Sequence, residues 1–160
     1  MSNEGDSTVF DVLVVDDNPA DAEVIKYAFG ECRDVRTRIE VLADPRDAVP
    51  YLYGAGKFAN VVVPDLILLD YHMPTDGGRA LAEIKGNPDL LTPVIVFTGS
   101  GNPKQVEEIY RRHANCCFFK PSNLPDMLAV ACEIATHWLK RSMLPSKKRP
   151  NNNCPRDARA

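Results

Sequence analysis

The sequence has no apolar run approaching the roughly 18 residues that a membrane span requires. Its first residues, Met1–Thr8, are polar and acidic where a secretory signal would be basic and then apolar, so a cytoplasmic protein that avoids membranes is expected. Cysteine is scarce and poorly spaced: Cys32, Cys116, Cys117, Cys132 and Cys154 form an odd set without a C-x-x-C pair. That pattern argues against a disulfide framework and against zinc, and it predicts reduced cysteines, with Cys116, Cys117 and Cys132 filling core space. Positive charge is also lacking where a nucleic-acid surface would need it. The seven bases from Lys140 onward, against Asp157 alone, give the tail +6, which leaves −9 for residues 1–139 out of a total of −3. A folded part that acidic is not expected to bind nucleic acid.

What the chain does contain is one repeated pattern. Short aliphatic runs, Val9–Val15, Leu66–Leu69, Pro93–Phe97 and Cys116–Phe119, with Arg38–Leu42 between the first two, read as strands, and those lacking polar alternation read as buried on both faces. Between them lie helical segments opened by Asn18-Pro19, Asp44-Pro45 and Asn102-Pro103, each a capping side chain followed by a proline suited to the first turn. Gly30 closes the first helix, a second is expected from Pro45 to near Tyr53, and a third spans Arg79–Lys85. The last runs from about Asn123 to Leu139 with Leu124, Met127, Leu128, Ala131, Ile134, Ala135 and Trp138 at helical spacing. Gly54 to Pro64 reads as an irregular surface connection, and Gln105 could close a capping box.

Alternating strands and helices predict an α/β domain over residues 9–139, doubly wound around a five-stranded parallel sheet. Residues 1–8 are then a disordered leader and 140–160 a basic, largely disordered tail.

All βα loops of such a sheet gather at one edge, and the residues delivered there are distinctive. Strand one ends on Asp16 and Asp17, strand three on Asp70, strand four on Thr98 and strand five on Lys120. If strand one lies between strands two and three, three carboxylates share one crevice, which suits a hard divalent cation such as Mg²⁺. Thr98 and Lys120 offer a hydroxyl donor and an ammonium to phosphoryl oxygens, and Asp70, between the two sides, is the candidate nucleophile. The simpler reading of Asp16-Asp17 as helix caps fails because Asn18 already supplies the cap.

Asp16-Asp17, Asp70 followed by Met73-Pro74 and Gly78, Thr98-Gly99 and Lys120-Pro121 resemble the receiver domain of two-component response regulators. The resemblance implies a flavodoxin-like sheet of order 2-1-3-4-5 and phosphorylation of Asp70 by a sensor histidine kinase. It also implies Mg²⁺ held by Asp17, Asp70 and the His72 backbone carbonyl with Asp16 acting through water, contacts from Thr98 and Lys120 to the phosphoryl group, and a cis peptide before Pro121. One position departs: where many receivers carry an aromatic switch residue, three before the lysine, this chain has Cys117. The Gly54–Pro64 connection, Glu83–Leu90, His113–Cys116 and Thr136–Leu139 are similar, more narrowly, to single-domain regulators serving phytochrome-type kinases. Such a regulator would signal through its own surface or by phosphorelay, and a homodimer through the last helix and its neighbours is expected.

Two other readings compete. A phosphohydrolase with an aspartyl nucleophile would place a second acid two residues after the first, where His72 stands. A flavin-binding module would need a Gly, Ser or Thr run after strand one, which is lacking.

Overall fold

The computed structural model describes residues 8–73, 77–99, 101–150 and 154–155. Five strands, β1 (Val9–Val15), β2 (Arg36–Leu42), β3 (Leu66–Asp70), β4 (Val94–Thr98) and β5 (Cys116–Phe119), alternate with five helices. These are α1 (Pro19–Gly30), α2 (Ala48–Tyr53), α3 (Gly77–Lys85), α4 (Pro103–Arg111) and α5 (Leu124–Ile134). Every strand pairing is parallel, in the order β2-β1-β3-β4-β5, the doubly wound arrangement expected. Among the described residues no helix is long and apolar enough to cross a membrane.

The apolar runs are explained by cover on both sides. Val12, Val14, Leu66, Leu68, Ile95 and Phe97 pack in one layer with Ile25 and Phe29 of α1 and Ala131 and Ile134 of α5. Their neighbours Leu13, Val15, Ile67, Leu69, Val94 and Val96 pack in the other with Leu52, Leu81, Ile84 and Ile109 of α2, α3 and α4. Successive strand side chains face opposite ways, so the period of two survives although both faces are apolar. Each such side chain, fully buried, contributes about 1.5–3 kcal/mol.

The helix starts follow from their caps, with one exception. Asn18 accepts the N–H groups of Ala20 and Asp21, Asn102 that of Lys104, and Asn123 that of Asp126. Asp44, however, caps a single 3-10 turn over Pro45–Asp47, and α2 begins only at Ala48. Pro50 has no N–H to return to the carbonyl four residues back, which delays the α-helical ladder. Gly54 ends α2 at φ +64°, beneath the Arg149 guanidinium, where a side chain would have neither the backbone angle nor the room. The connection after it contains one 3-10 turn, Gly56–Phe58, that sets the Phe58 ring 5.3 Å from Tyr51. Beyond α5 the helix continues in wider turns from Ala135 to Arg141, two residues past the expected end.

Two expectations require correction. Cys32 and Cys132 form a disulfide across a sequence separation of 100, with Cα atoms 5.3 Å apart, so the cysteines are not all reduced. An odd count conceals a pair that only the packing of α1 along α5 brings together. Among the described residues Cys116, Cys117 and Cys154 are free, and the first two are half-buried at sheet edge strand β5.

The tail beyond Leu139 also departs from expectation over residues 142–150. Lys147 Nζ lies 2.6 Å from Asp11 Oδ2 and 2.9 Å from Asp65 Oδ2, and Arg149 donates to the Val61 carbonyl. Asp11 accepts a second bond, 2.6 Å, from Arg38 Nε, and the tail cation offsets the remaining charge where buried Asp11 and partly buried Asp65 meet at the amino edge of the sheet. The leader residues 1–7, Pro74, Ser100 and tail residues 151–153 and 156–160 lie outside the described residues.

This strap has a defined pH window. Burial raises the Asp11 pKa, but the bonds from Arg38 and Lys147 prevail and hold it below the usual range. Burial lowers that of Lys147, and the two carboxylates hold it above its usual range. The lowered acid stabilises the fold above its ordinary pKa and loses that contribution as pH falls through its folded value; the raised base does so below its ordinary pKa, losing it at high pH. Lys147→Met is therefore expected to cost about 1 kcal/mol at neutral pH, in urea unfolding, because the lysine is one-third exposed. The gap should close as the pH falls below the ordinary aspartate value, near 4.

Candidate functional site

With β1 between β2 and β3, the carboxyl ends of β1 and β3 are neighbours. Asp16 extends the β1–β2 ladder by one bond, its N–H to the Leu42 carbonyl at 3.0 Å, and is only 2% exposed. Its Oδ1 accepts the Asn18 N–H at 2.9 Å, so the turn that caps α1 also orients this carboxylate. Asp17 follows, exposed, and Asp70 ends β3 with Oδ1 accepting the His72 N–H at 3.1 Å. One oxygen from each of Asp16, Asp17 and Asp70 falls within 4.8 Å of the others.

The far side is built by β4 and β5. The Lys120 N–H donates to the Thr98 carbonyl at 2.7 Å, locking the two strand ends together, and Thr98 is 2% exposed. From there Lys120 Nζ reaches back to Asp16 Oδ2 at 2.7 Å, Asp21 Oδ2 at 2.8 Å and Asp70 Oδ2 at 3.7 Å. The structure thus brings Asp16, Asp17, Asp70 and Lys120 into one crevice, as the sequence order suggests. The peptide before Pro121 is trans, as is every described peptide bond, contrary to the cis bond that the resemblance implies. Trans is the lower-energy isomer of an X–Pro bond, and the Lys120 ladder bond to Thr98 forms with it.

The electrostatics are unbalanced. Burial pushes the Asp70 carboxyl up, with Asp16 and Asp17 adding to the rise, against the opposing His72 N–H and Lys120 charge. Burial alone would lower Lys120, but its bonds to Asp16 and Asp21 and the charge of Asp70 carry it above its ordinary value. Three carboxylates share one ammonium, and Asp17 adds a further negative charge beside them. A site with oxygen donors only and surplus negative charge fits a hard divalent cation.

Two contributors were not legible as such in the sequence. Asp21 reads as a first-turn acid that favours the helix dipole, yet its carboxylate joins the site. Gly77, beside the expected Gly78, lets α3 start against the loop after β3: a Cβ there would sit 2.5 Å from the Asp70 carbonyl oxygen. Only its place just after the acidic strand end could have marked it. At the departing position, the Cys117 N–H donates to Tyr110 Oη of α4 at 3.2 Å, while burial and Cys116 push the thiol up.

Comparison with known proteins agrees with this geometry. The family model described as response regulator receiver domain matches residues 12–131. The chain is 36% identical over 137 residues to response regulator Rcp1 of Synechocystis sp., covering 84% of this chain and 92% of that one. Among solved structures, the phosphorylated cyanobacterial phytochrome response regulator RcpA is similar at 35% identity and TM-score 0.80, covering 87% of this chain and 100% of that one. The Mn²⁺-bound form of Rcp1 is similar at 35% identity and TM-score 0.77, covering 86% and 99%. With its parallel sheet, its acids at the ends of β1 and β3 and a family match across nearly all of the folded unit, this chain belongs to the response regulator receiver family.

Proposed function

We infer that the chain is a signalling receiver that takes a phosphoryl group on Asp70 from a phosphohistidine of a sensor kinase, and that the kinase is of the phytochrome type. The observation that carries the reading is the place of Asp70, with an oxygen within 4.8 Å of the Asp16-Asp17 pair and 3.7 Å from the Lys120 ammonium. An Asp70 oxygen would attack phosphorus as the P–N bond breaks, its electron pair leaving with the imidazole. Lys120 and the Thr98 hydroxyl would meet the phosphoryl oxygens, and Cys117 leaves the aromatic switch position without a ring.

Asp17, Asp70 and the His72 carbonyl are assigned to hold Mg²⁺ directly, with Asp16 acting through water. The oxygen-only donor set supports this, as does the relative solved with Mn²⁺. When bound, that ion would neutralise charge on the transferring group. The assignment to phytochrome kinases is supported by relatives that are themselves phytochrome response regulators. The receiver unit is assigned to residues 9–139, acting in the cytoplasm where ATP charges the donor. In this reading the chain promotes its own phosphotransfer and dephosphorylation without turning over an external substrate. It passes the state on by phosphorelay or by homodimerisation through α5 and its neighbours, which sedimentation with and without phosphorylation reports.

Transfer from labelled, autophosphorylated phytochrome-type kinases tests the reading. Label is expected on the wild type with Mg²⁺ and to fall to background with chelator. Sustained turnover of phosphate esters would favour the phosphohydrolase instead.

A further inference from the structure

Asp21 stands apart from the three acids that face one another, yet it is nearer the site lysine than Asp70 is. Lys120 Nζ lies 2.8 Å from Asp21 Oδ2 and 3.7 Å from Asp70 Oδ2. An ammonium has three N–H donors. Two of them are engaged, by Asp16 at 2.7 Å and by Asp21, and the Asp70 distance is an ion pair too long for a hydrogen bond. Asp21 is not there by a free rotation of the chain. Its N–H donates to the Asn18 side chain at 3.3 Å, so the cap that starts α1 fixes the residue one turn above the strand ends. The side chain of Lys120 is 11% exposed, so little water competes for its donors. A first-turn acid answering the helix dipole explains its position in α1, not its pairing with a lysine of another strand.

We propose that Asp21 is a positioning residue that holds Lys120 toward the β1 side at rest and yields it only to a group carrying more charge than one carboxylate. A phosphoryl group on Asp70 is such a group, with close to two negative charges and three acceptor oxygens. Asp21 thereby sets how readily the ammonium turns to the incoming phosphoryl. The proposal rests on the phosphoacceptor reading of Asp70. Asp21 itself touches neither Asp70 nor the phosphoryl group; it acts through Lys120.

The test uses the full chain with Mg²⁺ and phosphoramidate as a saturable donor. Asp21→Asn is expected to raise the maximal rate of phosphoryl acceptance by about 2- to 5-fold, since Asp21 is partly exposed, with the donor KM unchanged. Asp21→Glu should stay near the wild type, and Asp21→Asn should have no effect in a Lys120→Met background. Nitrogen-15 spectra should show a Lys120 ammonium with slow proton exchange that Asp21→Asn makes fast. Acceptance by the wild type that is unchanged or slowed in Asp21→Asn, or an acceleration that persists without Lys120, overturns the proposal and leaves the receiver reading intact. A wild type that accepts nothing while keeping its slow ammonium overturns the receiver reading, and the proposal with it.

Discussion

Asp70→Asn is expected to lower phosphoryl acceptance by more than about 10³-fold, because it removes the attacking oxygen and leaves the surroundings in place. The amide nitrogen is no nucleophile, whereas Asp16 and Asp21 still hold Lys120 and the His72 N–H still finds a carbonyl oxygen. Intact mass after incubation with phosphoramidate and Mg²⁺ measures it directly: one added phosphoryl on the wild type, none on the variant. Equal modification of both proteins would move the acceptor elsewhere. Loss of folding does not explain the expected result. The Asp70 carboxyl is raised by burial, so its stabilising influence belongs to the protonated form and is lost as pH rises through the folded value. At neutral pH without metal, the ionised Asp70 is a burden that asparagine does not carry. Thermal unfolding in chelator should therefore show the variant no less stable than the wild type.

Breaking the Cys32–Cys132 bond is expected to have the largest effect on stability. The bridge closes a loop of about a hundred residues and fastens α5 to the far end of α1. The chain-entropy account puts so long a loop at about 4.7 kcal/mol, and bridges of this kind typically contribute about 2–4 kcal/mol once native-state strain is included. For a chain of this size that is a fall in Tm of about 5–15 °C. Cys132→Ser and treatment with reductant should give the same shift, and reductant should not shift the variant further. Alkylation under denaturing conditions should count three reactive thiols before reduction, Cys116, Cys117 and Cys154, and five after it. Five at the outset would show the two sulfurs unjoined as purified. A bond of this kind is exceptional in a reducing compartment, so the count also bears on where the protein works.

Legibility differed by the range of the interaction involved. Strands β1, β3 and β4 are visible because a strand covered on both faces is apolar over most of its length, and Asp70 stands out as a charge ending such a run. Asn18 and Asn102 with their prolines marked helix starts because capping is settled within a few residues. The start of α2 lies three residues beyond the one its cap implies, because Pro50, well inside the segment, removes a bond that the cap at Asp44 cannot replace. Nothing near Asp11 in β1 or near Lys147 in the tail marks either as paired, because the partners that explain them, Arg38 and Lys147 for the one and Asp11 and Asp65 for the other, lie far along the chain.

By itself the sequence determined the alternation of strands and helices, and with it the edge of the sheet to which Asp16, Asp17, Asp70, Thr98 and Lys120 are delivered. Burial periodicity and capping act over one or two turns, and parallel connectivity then forces the loops to one side. Tertiary structure alone decided that Asp21 shares Lys120, that Cys32 meets Cys132, and that Lys147 reaches Asp11 and Asp65. Each of these joins groups far apart in the chain. Their distances of a few ångströms are set by how α1, α5 and the tail settle on the sheet, which no local pattern encodes.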